Sequence, residues 1–297
     1  PGDADVLLNF AATQRRQGRW AEATVNCERA FAINPRDPDI SGTWIECLVA
    51  QRYYARAERA IERALAIFPG DSRLLGQKAQ ARFARDGDRV RYRAARDAIP
   101  QATGAVPLDP RFGQFWDACE NERHAEAVMT FDEAPELFMR SGRGGRSDRD
   151  IDLLLRRYFF AATVIGAGEK VRDRALAAIA EAKSVPARSR GEGYRIARLA
   201  LWQTYAGQLD EARKLADQTL KLISANRDAV DDPVARALVA QVYLALGERD
   251  RALQLLDQAL SLPSRLIANE LRLEPWWAPL RDDPRFQAAL AKAAPRD

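Results

Sequence analysis

His124 is the only histidine in the chain, and Asp117, Glu120 and Glu126 lie close to it in sequence. An imidazole beside a carboxylate is the pairing used for general acid–base catalysis. The other candidates for chemistry are Cys27, Cys47 and Cys119, and the glycine-rich stretch GRGG at 142–145. A metal centre is not expected, because no Cys-x-x-Cys pair accompanies the single histidine. GRGG matches a phosphate-binding loop only in composition, since it lacks the lysine and the preceding strand. The chain carries no P-loop, zinc motif or nucleophile elbow. These residues therefore predict no catalytic residue, no metal and no cofactor.

The elements that must position any site are set by a repeat. Gly18 to Pro38 reads GRWAEATVNCERAFAINPRDP, and Arg52 to Ser72 reads RYYARAERAIERALAIFPGDS. Ala23 returns as Ala57, Ala30 as Ala64, Pro35 as Pro69 and Trp20 as Tyr54, a spacing of 34 residues. That period is the mark of stacked helix–turn–helix units. ERHAEAV at 122–128 parallels GRWAEAT at 18–24, which puts His124 where Trp20 sits. A turn-adjacent aromatic position implies packing for His124 rather than catalysis.

Composition agrees. The chain is 47% hydrophobic and 30% charged, rich in alanine, leucine, glutamate and arginine and poor in β-branched runs. Such a mixture points to helices with solvated outer faces. The net charge of +4 is small for 297 residues. With a pI near 9.1 it could suggest nucleic acid or an acidic membrane surface, but solvated arginine-rich helix faces are the preferred explanation. Three cysteines cannot form a full disulfide set, and buried reduced thiols point to a cytoplasmic setting. No apolar run approaches ~20 residues, so no membrane span is expected. The opening PGDADVLL, without methionine and with no signal peptide, reads as a processed or truncated piece.

Along the chain, seven helix pairs are predicted. Residues 1–139 hold four units, with the third and fourth irregular. Residues 140–150, RSGRGGRSDRD, have no apolar side chain and read as a flexible linker or loop. Residues 151–270 hold three more units. Residues 271–297 differ from the rest, with one short helix after Pro284, and read as a cap for the last repeat. Trp276, Trp277, Leu280, Phe286 and Leu290 are expected over the end of unit seven, near Val242, Leu246 and Leu255.

The glycine turn, the aromatic two residues later, the small residues at helix crossings and the closing proline resemble the tetratricopeptide (TPR) pattern. QGRWAEA with INP, RYYARAERAIERALAIFP, and DPVARALVAQVYLALGERDRALQLLDQALSLP with LEPWWAPLRDDPRFQAAL are similar to the C-terminal TPR arrays of bacterial signalling proteins. Those arrays stand behind winged-helix, adenylate cyclase or Ser/Thr kinase domains. The resemblance implies an all-α fold, a right-handed α-solenoid of about seven TPR-like pairs with a C-terminal capping segment. It also implies a non-enzymatic protein- or peptide-binding scaffold, the sensory or docking region of a larger regulator.

In such a superhelix the first helix of each pair builds the inner face. Helical phase places Arg15, Glu46, Arg73, Gln77, Gln80, Trp116, Tyr158, Arg198 and Gln241 there as the candidate binding residues. Aromatics and arginines are the types that anchor interfaces. The carboxylate clamp of co-chaperone TPRs is missing, since Leu8, Ala12, Gly42 and Thr43 stand at the inner face of the first two units. A small-molecule receptor with a pocket in the irregular middle units is an alternative, and an aromatic-lined, polar-tipped cavity there would favour it. Weak nucleic-acid binding through Arg140–Arg149 and the arginines of unit three is a further one, although nucleic acid is not the expected partner.

Overall fold

A computed structural model describes residues 3–99, 109–139, 148–184 and 191–296. Among them there is no strand, and seven helix pairs follow one another in an α-solenoid. The first three pairs are α1 (Ala4–Arg16) with α2 (Trp20–Ile33), α3 (Pro38–Ala50) with α4 (Tyr54–Leu65), and α5 (Ser72–Asp86) with α6 (Arg89–Asp97). In the fourth, α7 (Pro110–Glu120) and α8 (His124–Glu133) are followed by a short α9 (Pro135–Met139). Then come α10 (Asp148–Val164) with α11 (Gly168–Ser184), α12 (Glu192–Tyr205) with α13 (Leu209–Asn226), and α14 (Asp232–Ala245) with α15 (Arg249–Ser261). The tail adds α16 (Ala268–Leu273), a 3-10 turn (Pro275–Leu280) and α17 (Pro284–Lys292).

Short-range chemistry starts and stops these helices. Asp37, Asp71, Asp109 and Asp283 each cap a helix, with a carboxylate accepting from backbone N–H groups of the first turn. Three of those four aspartates precede a proline at the first helical position, where a missing N–H costs nothing. Gly18 and Gly87 turn the chain between paired helices at φ 80° and 72°. Units two and four have no glycine there, and Arg52 and Glu122 adopt the left-handed conformation instead, at φ 67° and 59°. A side chain pays for that conformation with ~1–2 kcal/mol, so something else must hold Arg52 in place.

Alanines set how closely the pairs cross. Ala23, Ala30, Ala57 and Ala64 are fully buried, each at a crossing where a larger residue has no room. Ala57→Leu is expected to destabilise by ~1–3 kcal/mol through overpacking. A urea melt matching the parent would show that the crossing is looser than it appears. On α1 only part of the apolar stripe Val6, Leu7, Phe10 and Ala11 is buried. Leu7 and Ala11 are, whereas Val6 and Phe10 are exposed.

The linker expectation falls largely on residues 140–147, which lie outside the described residues, and 148–150 already belong to α10. The tail covers unit seven as expected. Trp276, Trp277, Leu280, Phe286 and Leu290 share one core cluster with Val242 and Leu255, and Leu246 packs against it. It also contains two elements that sequence reading left unassigned, α16 and the 3-10 turn.

The path of the solenoid brings its two ends together. Arg16 pairs with Asp228, and Ala229 N donates to Arg16 O at 2.9 Å. Val230 lies in the N-terminal core cluster. Ser264 N donates to Ala50 O at 2.8 Å, and Arg296 N to Arg52 O at 3.0 Å. Arg52 is fully buried, and its guanidinium donates to Leu260 O and Leu262 O at 2.7 Å and to Lys292 O at 3.0 Å. Those three bonds are what hold it in its left-handed turn.

Candidate functional site

The inner faces of α5 and α10 make contacts with the tail. Gln80 Nε2 donates to Glu270 Oε1 at 3.0 Å, and Asn269 Nδ2 donates to Phe83 O and Ala84 O at 3.0 and 3.1 Å. Ile267 packs with Tyr54 and Ala84. Further along, Arg156 and Arg157 of α10 lie over the ring of Trp276, at 4.6 and 5.5 Å from its centroid. Arg157 also lies 5.5 Å over Trp116. Arg156 reaches Asp152 at 3.1 Å and Gln241 Oε1 at 3.4 Å. The segment from Ile267 to Leu280, made of α16 and the 3-10 turn, is thus seated against the inner side of the solenoid.

Of the candidate residues, Gln80, Trp116 and Gln241 are gathered around this segment and its two arginines. Arg198 is buried nearby, 4.8 Å over Trp202. Gln77 is half-buried on α5. Arg15 and Glu46 pair with each other at the N-terminal end, away from this cluster. Arg73 is exposed and donates to Pro38 O at 3.2 Å, lying so close over Gly42 that an added Cβ would stand 2.9 Å from Nη1.

Tyr158 corrects the phase assumed for unit five. It is buried in the core, its hydroxyl donating to Asp132 at 2.9 Å and its ring 4.4 Å from that of Phe131. One residue along a helix is a turn of ~100°, and it is Arg156 and Arg157 that face inward. Two adjacent arginines inside the otherwise apolar LLLRRYFF were the available signal. Glu270 and Glu274, spaced i and i+4 in α16 and just after it, were the matching signal in the tail.

Desolvation dominates the electrostatics of the interior. It raises Asp152 and Glu274, while Arg156, with Arg198 or Arg157, opposes the rise. It lifts Glu270 from its ordinary 4.5 to about 7, against the hydrogen bond from Gln80 and the charge of Arg157, with Glu274 adding to the rise. A carboxyl group with a raised folded-state pKa binds its proton more tightly when folded. Its contribution is fully present below about 4.5 and is lost as pH rises through about 7. Amide exchange in α16 is therefore expected to accelerate between pH 5 and 8 beyond the intrinsic chemical rate. Glu270→Gln should flatten that excess, and an unaltered excess in this variant would show that another group controls it.

The nucleophile and acid–base candidates are packing groups. His124 is half-buried, edge-on to Phe160 at 5.7 Å between centroids. Burial raises Cys119 to about 12, and hydrogen bonding to Cys47, followed by burial, raises Cys27. Neither Cys27 nor Cys119 is therefore a ready nucleophile. No group of metal-binding residues occurs among the described residues.

One cleft of about 220 Å³ remains open beside the tail. It is lined by Arg89 of α6, by Cys119, Glu120, Glu122 and His124 around the α7–α8 turn, by Arg157 and Phe160 of α10, and by Pro275 and Arg281 of the tail.

Known proteins resemble the chain in part. No curated protein matches it. A tetratricopeptide repeat protein from Parabacteroides merdae ATCC 43184 is similar over 98% of both chains, at 12% identity and a TM-score of 0.44. The APC/C hetero-tetramer Cut9–Hcn1 is similar over 97% of this chain and 55% of the other, at 14% identity and a TM-score of 0.42. Residues 14–82, from the end of α1 into α5, match the family described as tetratricopeptide repeat, and they form a TPR region within this all-helical solenoid.

Proposed function

We propose that this chain is a non-enzymatic docking scaffold for a protein or peptide partner, serving as the sensory or docking region of a larger bacterial regulator, in the cytoplasm. The observation that carries the docking reading is the seat of Ile267–Leu280. The interior of the solenoid already recognises a polypeptide segment, its own, with an aromatic side chain on two arginines and a carboxyl group on Gln80. Tetratricopeptide scaffolds serve generally as protein-interaction surfaces, which agrees with the match over residues 14–82.

The small-molecule reading is favoured by the cleft near units four and five, but its volume argues against it. About 220 Å³ is below the ~300–1,000 Å³ of ordinary ligand pockets and suits one or two side chains better than a whole ligand. The nucleic-acid reading loses part of its charge, because Arg93 and Arg96 of α6 are engaged with Glu120. Panning a random peptide library on the full chain tests docking. Convergent sequences that bind at a 1:1 ratio by calorimetry are expected. Failure of any selected peptide to bind in solution would end the docking reading.

A further inference from the structure

We propose that the cleft beside the tail is an anchor for one acidic side chain of the partner, seated on Arg89, Arg157 and Arg281 with a neighbouring apolar side chain on Phe160, Leu273 and Pro275. This deepens the docking reading above and rests on it. The cleft brings together side chains from α6, the α7–α8 turn, α10 and the tail. Three guanidinium groups line it, and their protein partners leave donors over. Arg89 donates to Glu120 O at 3.1 Å, and Arg281 to Leu273 O and Glu274 O at 3.3 Å. Arg157 is stacked between Trp116 and Trp276, and its buried Nε has no hydrogen-bond partner among the described residues.

The facing charges decide what anion fits. Glu120 lines the cleft but is shared with Arg93 and Arg96 of α6, so it offsets only part of the cleft's arginine charge. Glu122 stands exposed in its left-handed turn. Glu274 and Glu270 of the tail share the field of Arg157. Arg89 itself is pushed down by burial, with Arg93 and Arg157 adding to the effect and Glu120 and Glu122 opposing it. Among the lining residues, three arginines stand against Glu122 and a shared Glu120, so positive charge is left over for an anion. Glu120 and Glu122 also line the cleft and repel a doubly charged phosphate more than a singly charged carboxylate, which guanidinium groups can grip in bidentate geometry. The apolar wall beside the arginines, formed by half-buried Phe160 and Pro275 with the partly exposed Leu273, suits an aliphatic neighbour of that carboxylate.

The test uses the full chain and reads the Nε–Hε resonances of its arginines by NMR. The probe is acetyl-Leu-Glu-Leu-amide, with acetyl-Leu-Gln-Leu-amide and inorganic phosphate as the other arms. Saturable shifts at Arg89 and Arg157 are expected with the glutamate peptide. The glutamine peptide should bind about tenfold or more weakly, the loss of one charge-assisted hydrogen bond. Arg89→Gln should weaken the glutamate peptide by a similar factor. Arg281→Gln, at an exposed position that leaves the core intact, should weaken it severalfold with the remaining amide spectrum unchanged. Equal binding of the two peptides, or no saturable shift, would overturn the anchor. Phosphate binding more tightly than the glutamate peptide would overturn it in favour of a phosphate-bearing ligand such as a nucleic acid. Docking and anchor fail separately: a panned peptide that binds the parent and Arg89→Gln equally well retains docking and removes the anchor.

Discussion

Trp277→Ala is expected to lose about 3–5 kcal/mol of stability, the usual cost of truncating a buried aromatic side chain. Trp277 is fully buried, in the cluster that joins α14, α15, the 3-10 turn and α17, with Phe286 at 6.3 Å between ring centroids. Removing the indole opens a cavity where the tail meets unit seven. The expected readout is an earlier transition in a urea melt followed by circular dichroism, together with increased binding of a hydrophobic dye as the end of the last repeat is uncovered. Were the tryptophans an exposed partner-binding patch instead, the melt would not move. A parent-like melt for Trp277→Ala would therefore refute the capping role.

Arg52→Gly separates two effects at one residue. Glycine suits φ 67° better than arginine does and should regain ~1–2 kcal/mol of backbone strain. Against that, Leu260 O, Leu262 O and Lys292 O lose their donors in a buried setting. Each hydrogen bond to a charged group contributes ~1.5–3 kcal/mol, so the loss outweighs the gain. A net destabilisation of about 3–8 kcal/mol is expected, concentrated where the tail meets units one to three. Limited proteolysis should release the segment after Ser261 in this variant before the parent. Arg52→Lys should fall between the two, because an ammonium cannot fork to three carbonyls in this fixed geometry. Parent-like stability of Arg52→Gly would mean that the solenoid stays closed without this residue.

Both experiments bear on docking as well as stability. Releasing the tail would empty the interior seat of Ile267–Leu280 and dismantle the cleft, since Leu273, Pro275, Ala278 and Arg281 are part of its wall. A partner that uses the cleft would lose affinity on tail release. One that uses the interior would gain it.

The helix pairs were legible in the sequence because their causes are local. The 34-residue period, the Asp-Pro caps, the glycine turns and the buried alanines each act within one unit or between neighbours, and they delivered the seven pairs. The cap was legible in the same way, from large apolar residues with no unit of their own to fill. The site was not. Which face of α10 points inward depends on how an irregular unit packs on its neighbours, so Tyr158 went to the core and Arg157 to the interior. That Gln80 meets Glu270, or Arg52 meets Lys292, depends on the cumulative curvature of seven stacked pairs. A small rotation at each stack, summed along the solenoid, decides whether the ends touch, and no residue pattern within a single unit encodes that sum.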